Sequence, residues 1–117
     1  MQRIIKLNPQ NHFSWGDNCE GWHLAQNDEL SVIKERMPPY TEETPHYHKH
    51  AQQVFYILNG IAEFEIGKEK LIANPGEAVS INALEVHTIK NNTERDLIFL
   101  VISSPCTSND RIEEEPL

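Results

Sequence analysis

The chain has 117 residues, the size of one compact domain with a core of its own. Ten Lys and Arg against eighteen Asp and Glu leave a net charge of −8, and a surface that acidic repels phosphate backbones, which argues against nucleic-acid binding. The longest apolar run, residues 97–102, is far too short to span a bilayer, and Cys19 and Cys106 belong to no paired motif, reading as thiols of a reducing cytoplasm.

No segment sustains a 3.6-residue apolar period of helical length. The amino-terminal MQRIIKLNPQ is not expected to be a signal peptide, because Lys6, Asn8 and Pro9 break its short apolar patch. Its residues 4–7 are expected as a first strand. Residues 21–24 and 30–37 follow as two more, separated by the turn-forming Gln26-Asn27-Asp28-Glu29, and Pro38-Pro39 stops the second, since proline cannot donate to a ladder. A polar stretch, residues 40–45, precedes three histidines and a strand over 53–58. Asn59-Gly60 is a strong hairpin signal, and residues 61–66 return with apolar and acidic positions alternating. Gly67-Lys68-Glu69-Lys70 and Asn74-Pro75-Gly76 flank a short strand at 71–73. Strands over 78–81, 86–90 and 97–103 complete the set, with Asn91-Asn92-Thr93 as the turn before the last. The acid-rich tail, residues 111–117, is expected to be solvated. Many short strands at close spacing predict an all-β antiparallel barrel or sandwich, in one domain over 1–117 without internal repeats.

The segment PHYHKHAQQVFYILNG, residues 45–60, holds three of the six histidines within five positions. Side chains alternate across a strand, so His46 and His48 share a face if the segment is extended. His50 continues that parity but falls where the chain bends, at the rim. Further on, Gln53, Phe55 and Ile57 share one face and Val54, Tyr56 and Leu58 the other. Both faces are largely apolar, which predicts a strand buried on both sides. A Gln buried with Phe55 and Ile57 needs a polar partner, which a metal or a neighbouring histidine supplies. A His-x-His pair alone is weak evidence for a metal, and a lone strand histidine such as His87 is ordinarily just packed and hydrogen-bonded.

The spacing of these pieces resembles the cupin superfamily, small double-stranded β-helix (jelly-roll) barrels with a metal in the mouth. In the first cupin motif His46, His48 and Gly60 match, Tyr40 stands at the leading Gly position, and Gln53 stands where the motif has Glu. In the second, Gly76, His87 and Asn91 match, while Asn82 and Leu84 replace the Pro and Gly. The resemblance covers residues 40–91.

By that resemblance His46, His48 and His87 are three imidazole ligands and Gln53 the fourth protein donor for one divalent transition metal, Fe, Ni, Mn, Cu or Zn, which the ligand types do not distinguish. Gln52 is a substitute donor whose parity directs it away from the lumen. A Gln in place of Glu leaves the metal's charge unneutralised and offers no general base. Phe55, Ile57 and Phe64 are expected to floor the pocket, with Trp22 and Tyr40 helping to line its mouth. No Arg or Lys other than Lys49 lies in the histidine-bearing segment 45–60, so a small neutral or weakly polar ligand is expected rather than a phosphorylated one. The implied function is metal-dependent chemistry on a small organic molecule, of dioxygenase type. The alternatives are a small-molecule or sugar binding module, a sugar isomerase or epimerase for which Glu35 is a candidate inward-facing base, and a metal-free structural barrel. The resemblance also implies a homodimer, with residues 4 and 5 as an exchanged edge.

Overall fold

A computed structural model describes residues 3–107 and 109–113. It contains twelve strands: β1 (His12–Trp15), β2 (Cys19–Gln26), β3 (Ser31–Met37), β4 (Thr41–Glu42), β5 (His46–His48), β6 (Gln52–Asn59), β7 (Ala62–Ile66), β8 (Glu69–Ala73), β9 (Ala78–Ile81), β10 (His87–Asn91), β11 (Leu97–Ser104) and β12 (Arg111–Glu113). No helix among the described residues is long and apolar enough to cross a membrane. The strands form two six-stranded antiparallel sheets. One runs β1-β2-β3-β11-β6-β9, the other β12-β5-β10-β7-β8 with β4 also on β10. Every strand that carries the core alternates, one side chain inward and the next outward, and the inward faces of the two sheets make the jelly-roll interior. The fold is the all-β barrel that the sequence predicts.

The polarity of the inward faces changes along the barrel. In register across β11 and β6, Phe99 opposes Ile57, Val101 opposes Phe55, and Ser103 opposes Gln53. On β10 the same progression runs from Ile89 to His87. Phe64, Phe99, Met37, Ile57, Ile89 and Leu97 are fully buried at the apolar end, and Phe55 packs on Phe64 and Phe99 with ring centroids 5.3 and 5.8 Å apart. The other end is polar and open.

Five expectations are corrected. Residues 4–7 are not a strand. The Asn8 and Asn11 side chains engage the backbone there instead, with Asn11 Nδ2 donating to the Lys6 carbonyl at 2.9 Å and Asn8 Oδ1 accepting from Gln10 N at 2.9 Å. Pairing begins only at His12, in a strand whose HFSW sequence is too short to show a pattern. Asn59-Gly60 is not a hairpin, because β6 pairs with β11 and β9 while β7 pairs with β10 and β8. The turn carries the chain from one sheet to the other. Gly60 has φ +83°, and a Cβ there would lie 2.5 Å from the Asp96 carbonyl oxygen, so glycine is required on both counts. The strand over 53–58 is buried on one face only, since Val54 and Leu58 are half-buried and Tyr56 is exposed. Among the described residues, no second layer covers the outer face of β6. Finally, residues 111–113 of the tail pair with β5 rather than being solvated, and residues 114–117 lie outside the described residues. The fifth correction concerns the pocket lining and follows below.

Candidate metal centre

β5 and β10 bring three histidines together from opposite parts of the sequence. His46 and His87 are direct cross-strand partners, and His48 lies two residues on, on the same inward face. Ring centroids are 4.4 Å apart for His46 and His87, 5.1 Å for His46 and His48, and 5.9 Å for His48 and His87. One nitrogen from each ring falls within 4.8 Å of the others, and all three residues are buried.

The backbone sets which nitrogen each ring presents. His46 Nδ1 lies 2.9 Å from the Thr44 carbonyl, and His87 Nδ1 lies 2.9 Å from the Glu85 carbonyl. A carbonyl only accepts, so both Nδ1 atoms carry the proton and both Nε2 lone pairs are free for a ligand. His48 Nδ1 faces the Asp110 carboxylate at 3.9 Å. Asp110 is itself fixed by accepting from His50 N at 3.0 Å and Ala51 N at 2.9 Å. A backbone acceptor thus fixes the His46 and His87 rings, as is usual for metal-ligating histidines, whereas His48 Nδ1 is buried without a hydrogen-bond partner.

Burial holds the rings neutral. Desolvation presses the His46 imidazole down to about 3 and that of His48, with some help from His87, to about 4. It lowers His87 as well. Neutral imidazoles are the form that binds a metal.

Gln53 comes from the facing sheet. Its Nε2 donates to Ser103 Oγ at 3.0 Å, leaving Oε1 buried without a hydrogen-bond partner. His87 Nε2 is likewise buried and unpartnered. Such groups cost about 1–3 kcal/mol each when left unpaired. An acceptor amide oxygen and an imidazole lone pair are both quenched by one cation and not by each other, so these residues fit a divalent metal.

A cavity of about 300 Å³ opens from this cluster, walled by His46, His48, Gln53 and Phe55 together with Glu35, Glu43 and Arg111. Of the expected lining residues, Phe55 is on the wall, while Ile57 and Phe64 lie deeper in the core. Trp22, Tyr40 and His50 are not on the wall. Trp22 alternates with the inward-facing Gly21 and His23, so it packs outside against His12 with ring centroids 5.3 Å apart. Tyr40 is 67% exposed at a turn, and His50 is exposed, with only its backbone amide held by Asp110. Gln52 also points outward and is exposed.

Sequence reasoning did not find the rest of the wall. Phe13 enters because Gly21, its cross-strand partner, has no side chain: a Cβ there would lie 2.3 Å from the Phe13 ring. The ring then stacks on His23 at 4.8 Å. Glu35 does face inward, as the isomerase alternative supposed, and desolvation followed by repulsion from Glu43 raises its pKa well above the usual carboxylate range. Burial pushes Glu43 up to about 7 against the opposing pull of Arg111. Arg111 places on the wall a cation that the histidine-bearing segment does not supply, because it arrives from the tail strand β12.

Four glycine positions of the cupin motifs share one conformation. Gly60 and Gly76 have φ of +83° and +86°, and Tyr40 and Leu84, which replace glycine at the other two, still have φ of +57° and +71°. The motif's Asn91 is fully buried, its Nδ2 within 2.7–3.1 Å of the Met37, Pro38 and Arg95 carbonyls.

Comparison with known proteins agrees with this geometry. No curated protein matches the chain. An RmlC-like cupin from Shewanella frigidimarina superposes with a TM-score of 0.79 at 17% identity, over 92% of this chain and 96% of that one. KdgF from Halomonas sp. gives 0.72 at 23% identity, over 78% and 82%. A double-stranded β-helix protein from Klebsiella pneumoniae gives 0.76 at 16%, over 99% and 100%. At these identities the likeness is one of fold. The cupin domain family model matches residues 33–103, more than half of the sequence. The chain therefore belongs to the cupin family.

Proposed function

We propose that the protein is a metal-dependent enzyme that acts on a small organic molecule at the mouth of its barrel. His46, His48 and His87 hold one divalent transition metal, Fe, Ni, Mn, Cu or Zn, and Gln53 is the fourth donor. The observation that carries this reading is the convergence of three buried imidazoles, one nitrogen of each within 4.8 Å of the others, beside a cavity whose wall also carries Gln53, with its unpartnered Oε1, from the facing sheet. When bound, the metal supplies Lewis acidity and open coordination positions, which suit dioxygenase-like oxidation. The chain's own residues then have separate tasks. Phe13, Phe55, Ile33 and Val101 exclude water from the cavity, Ser103 holds the Gln53 amide in place, and the neutral histidines stay ready as ligands.

One observation favours a second reading. Glu35 lines the cavity with its pKa raised by desolvation, so its carboxyl holds a proton more readily than an ordinary carboxylate and can serve in proton transfer. That is the requirement of an isomerase or epimerase. A homodimer and a cytoplasmic location belong to the same proposal. Ile4, Ile5 and Leu7 are exposed apolar residues for a second copy to cover, and sedimentation of the wild type against Ile5→Lys tests this.

The deciding experiment is elemental analysis of untagged protein purified without chelators, beside a His48→Ala control. About one transition metal per chain, lost in the control, supports the centre and names the metal. A wild type that is empty and refuses added metals leaves a plain binding barrel.

A further inference from the structure

We propose that the ligand of this cavity is a small carboxylate that chelates the metal, its negative charge matched by Arg111. The inference rests on the metal-centre reading above and adds the chemical class of what binds there.

The donor set is the first reason. Three neutral imidazoles and one amide oxygen bring no negative charge to a dication. Two full positive charges therefore remain in a buried site, where uncompensated charge is costly. A carboxylate ligand would have offset one, but the chain has Gln53 there. Asp110 lies behind His48 rather than on the cavity wall, so an anion entering the cavity would offset the charge at the metal itself and could offer it two oxygens.

The wall is the second reason. Arg111 stands directly opposite His48 in the β12–β5 ladder, so the two side chains share a face. Its guanidinium is 3.7 Å from Glu43 Oε2 and 3.5 Å from Glu113 Oε1, both at or beyond the limit of a hydrogen bond. It is thus balanced in charge by Glu43 without having its donors saturated, and its planar fork suits a carboxylate. The other charged groups on the wall are Glu35 and Glu43. Even with both carboxylates ionised they and Arg111 sum to a single negative charge, so a bound dication leaves the wall net positive. Size sets the last constraint. About 300 Å³ is roughly ten waters' share of liquid, which limits the ligand to a small acid.

The test uses the full chain loaded with cobalt(II), titrated with oxalate as the anionic probe and imidazole as the neutral one, and followed by the visible absorption of cobalt. Oxalate is expected to saturate the wild type. Arg111→Gln is expected to retain about one cobalt per chain and to weaken oxalate by about ten- to a hundredfold, leaving imidazole within about twofold. Arg111→Lys is expected to fall between, having charge without the fork. Because Arg111→Gln also unpairs Glu43, the same loss must appear when Glu43→Gln/Arg111→Gln is compared with Glu43→Gln. If Arg111→Gln loses its cobalt, Arg111→Lys carries the comparison, and an undiminished oxalate affinity there overturns the proposal. Cobalt-loaded Arg111→Gln that binds oxalate as tightly as wild type also overturns it, while leaving the metal centre intact. A wild type that takes up no cobalt overturns the metal centre itself and this inference with it.

Discussion

At the apolar end of the barrel, Asn91 is completely buried and its amide is fully engaged, with Nδ2 near three backbone carbonyls and Oδ1 accepting from Thr93 N and Oγ1. At the mouth, Gln53 is buried almost as deeply, yet only its nitrogen has a partner, and His87 on the other sheet presents a bare Nε2. Both amides sit on inward faces of strands, and both fall at motif positions. The saturated one locks the turn after β10 to the end of β3 and so belongs to folding. The half-satisfied one is left unpaired in the metal-free fold, and its unused acceptor is free for a ligand. Within one barrel, hydrogen-bond saturation separates architecture from chemistry.

The sharpest way to break that comparison is to delete one group of each kind. His87→Ala is expected to take metal content from about one per chain to near zero, and to cost the metal-free fold less than Asn91→Ala does, because the loss of ring packing and of the Nδ1–Glu85 hydrogen bond is offset in part by removing the unpaired Nε2. Asn91→Ala is expected to do the reverse. It strands several buried carbonyls and costs about 3 kcal/mol in urea unfolding, while the protein that folds binds metal normally. Equal stability losses in the two variants would erase the distinction.

Acid supplies a second test. His46 and His48 titrate at about 3 and about 4 in the fold against an ordinary 6.5, so below pH 6.5 the unfolded chain binds more protons and the metal-free fold loses stability as pH falls. Glu43 acts with the opposite sign. Raised from 4.5 to about 7, it keeps an extra proton in the fold, and its contribution is lost as pH rises through that window. Glu43→Gln removes this penalty. Its urea stability relative to wild type is therefore expected to climb between pH 4.5 and 7 by about 1.4 kcal/mol per unit, and a pH-independent difference would contradict the assignment.

The smallest expected effect comes from the turns. Tyr40 and Leu84 are 67% and 66% exposed and hold a left-handed backbone that costs a non-glycine residue about 1–2 kcal/mol. Tyr40→Gly and Leu84→Gly are each expected to raise stability by about 1 kcal/mol, less the extra entropy of an unfolded glycine. Thermal midpoints check this.

Much of the fold was legible because it is written in local spacing. The alternation over Gln53, Phe55 and Ile57, the parity of His46 and His48, and the interval to His87 are all short-range patterns, and the barrel honours them. The losses occurred where a local signal was answered by a distant partner. Asn59-Gly60 has hairpin chemistry, but Asp96, thirty-odd positions later, packs against Gly60 and turns it into a crossing between sheets. Residues 4–7 have strand composition and no strand beside them. Phe13 reaches the cavity through the absence of a side chain at Gly21, which no property of Phe13 announces. Arg111 and Asp110 serve histidines some sixty positions earlier, from a segment whose acidity reads as a solvated tail.

That last pairing has a consequence for biosynthesis. As the polypeptide emerges from the ribosome, all three histidines and Gln53 are out well before residues 110–113. Until these follow, His48 lacks the carboxylate behind it, the amides of His50 and Ala51 lack their acceptor, and the cavity lacks one wall. A nascent chain can therefore present its imidazoles only loosely, and the enclosed cavity exists only once β12 has been made. The enclosure of the histidine cluster is thus completed by the pairing of β12 with β5.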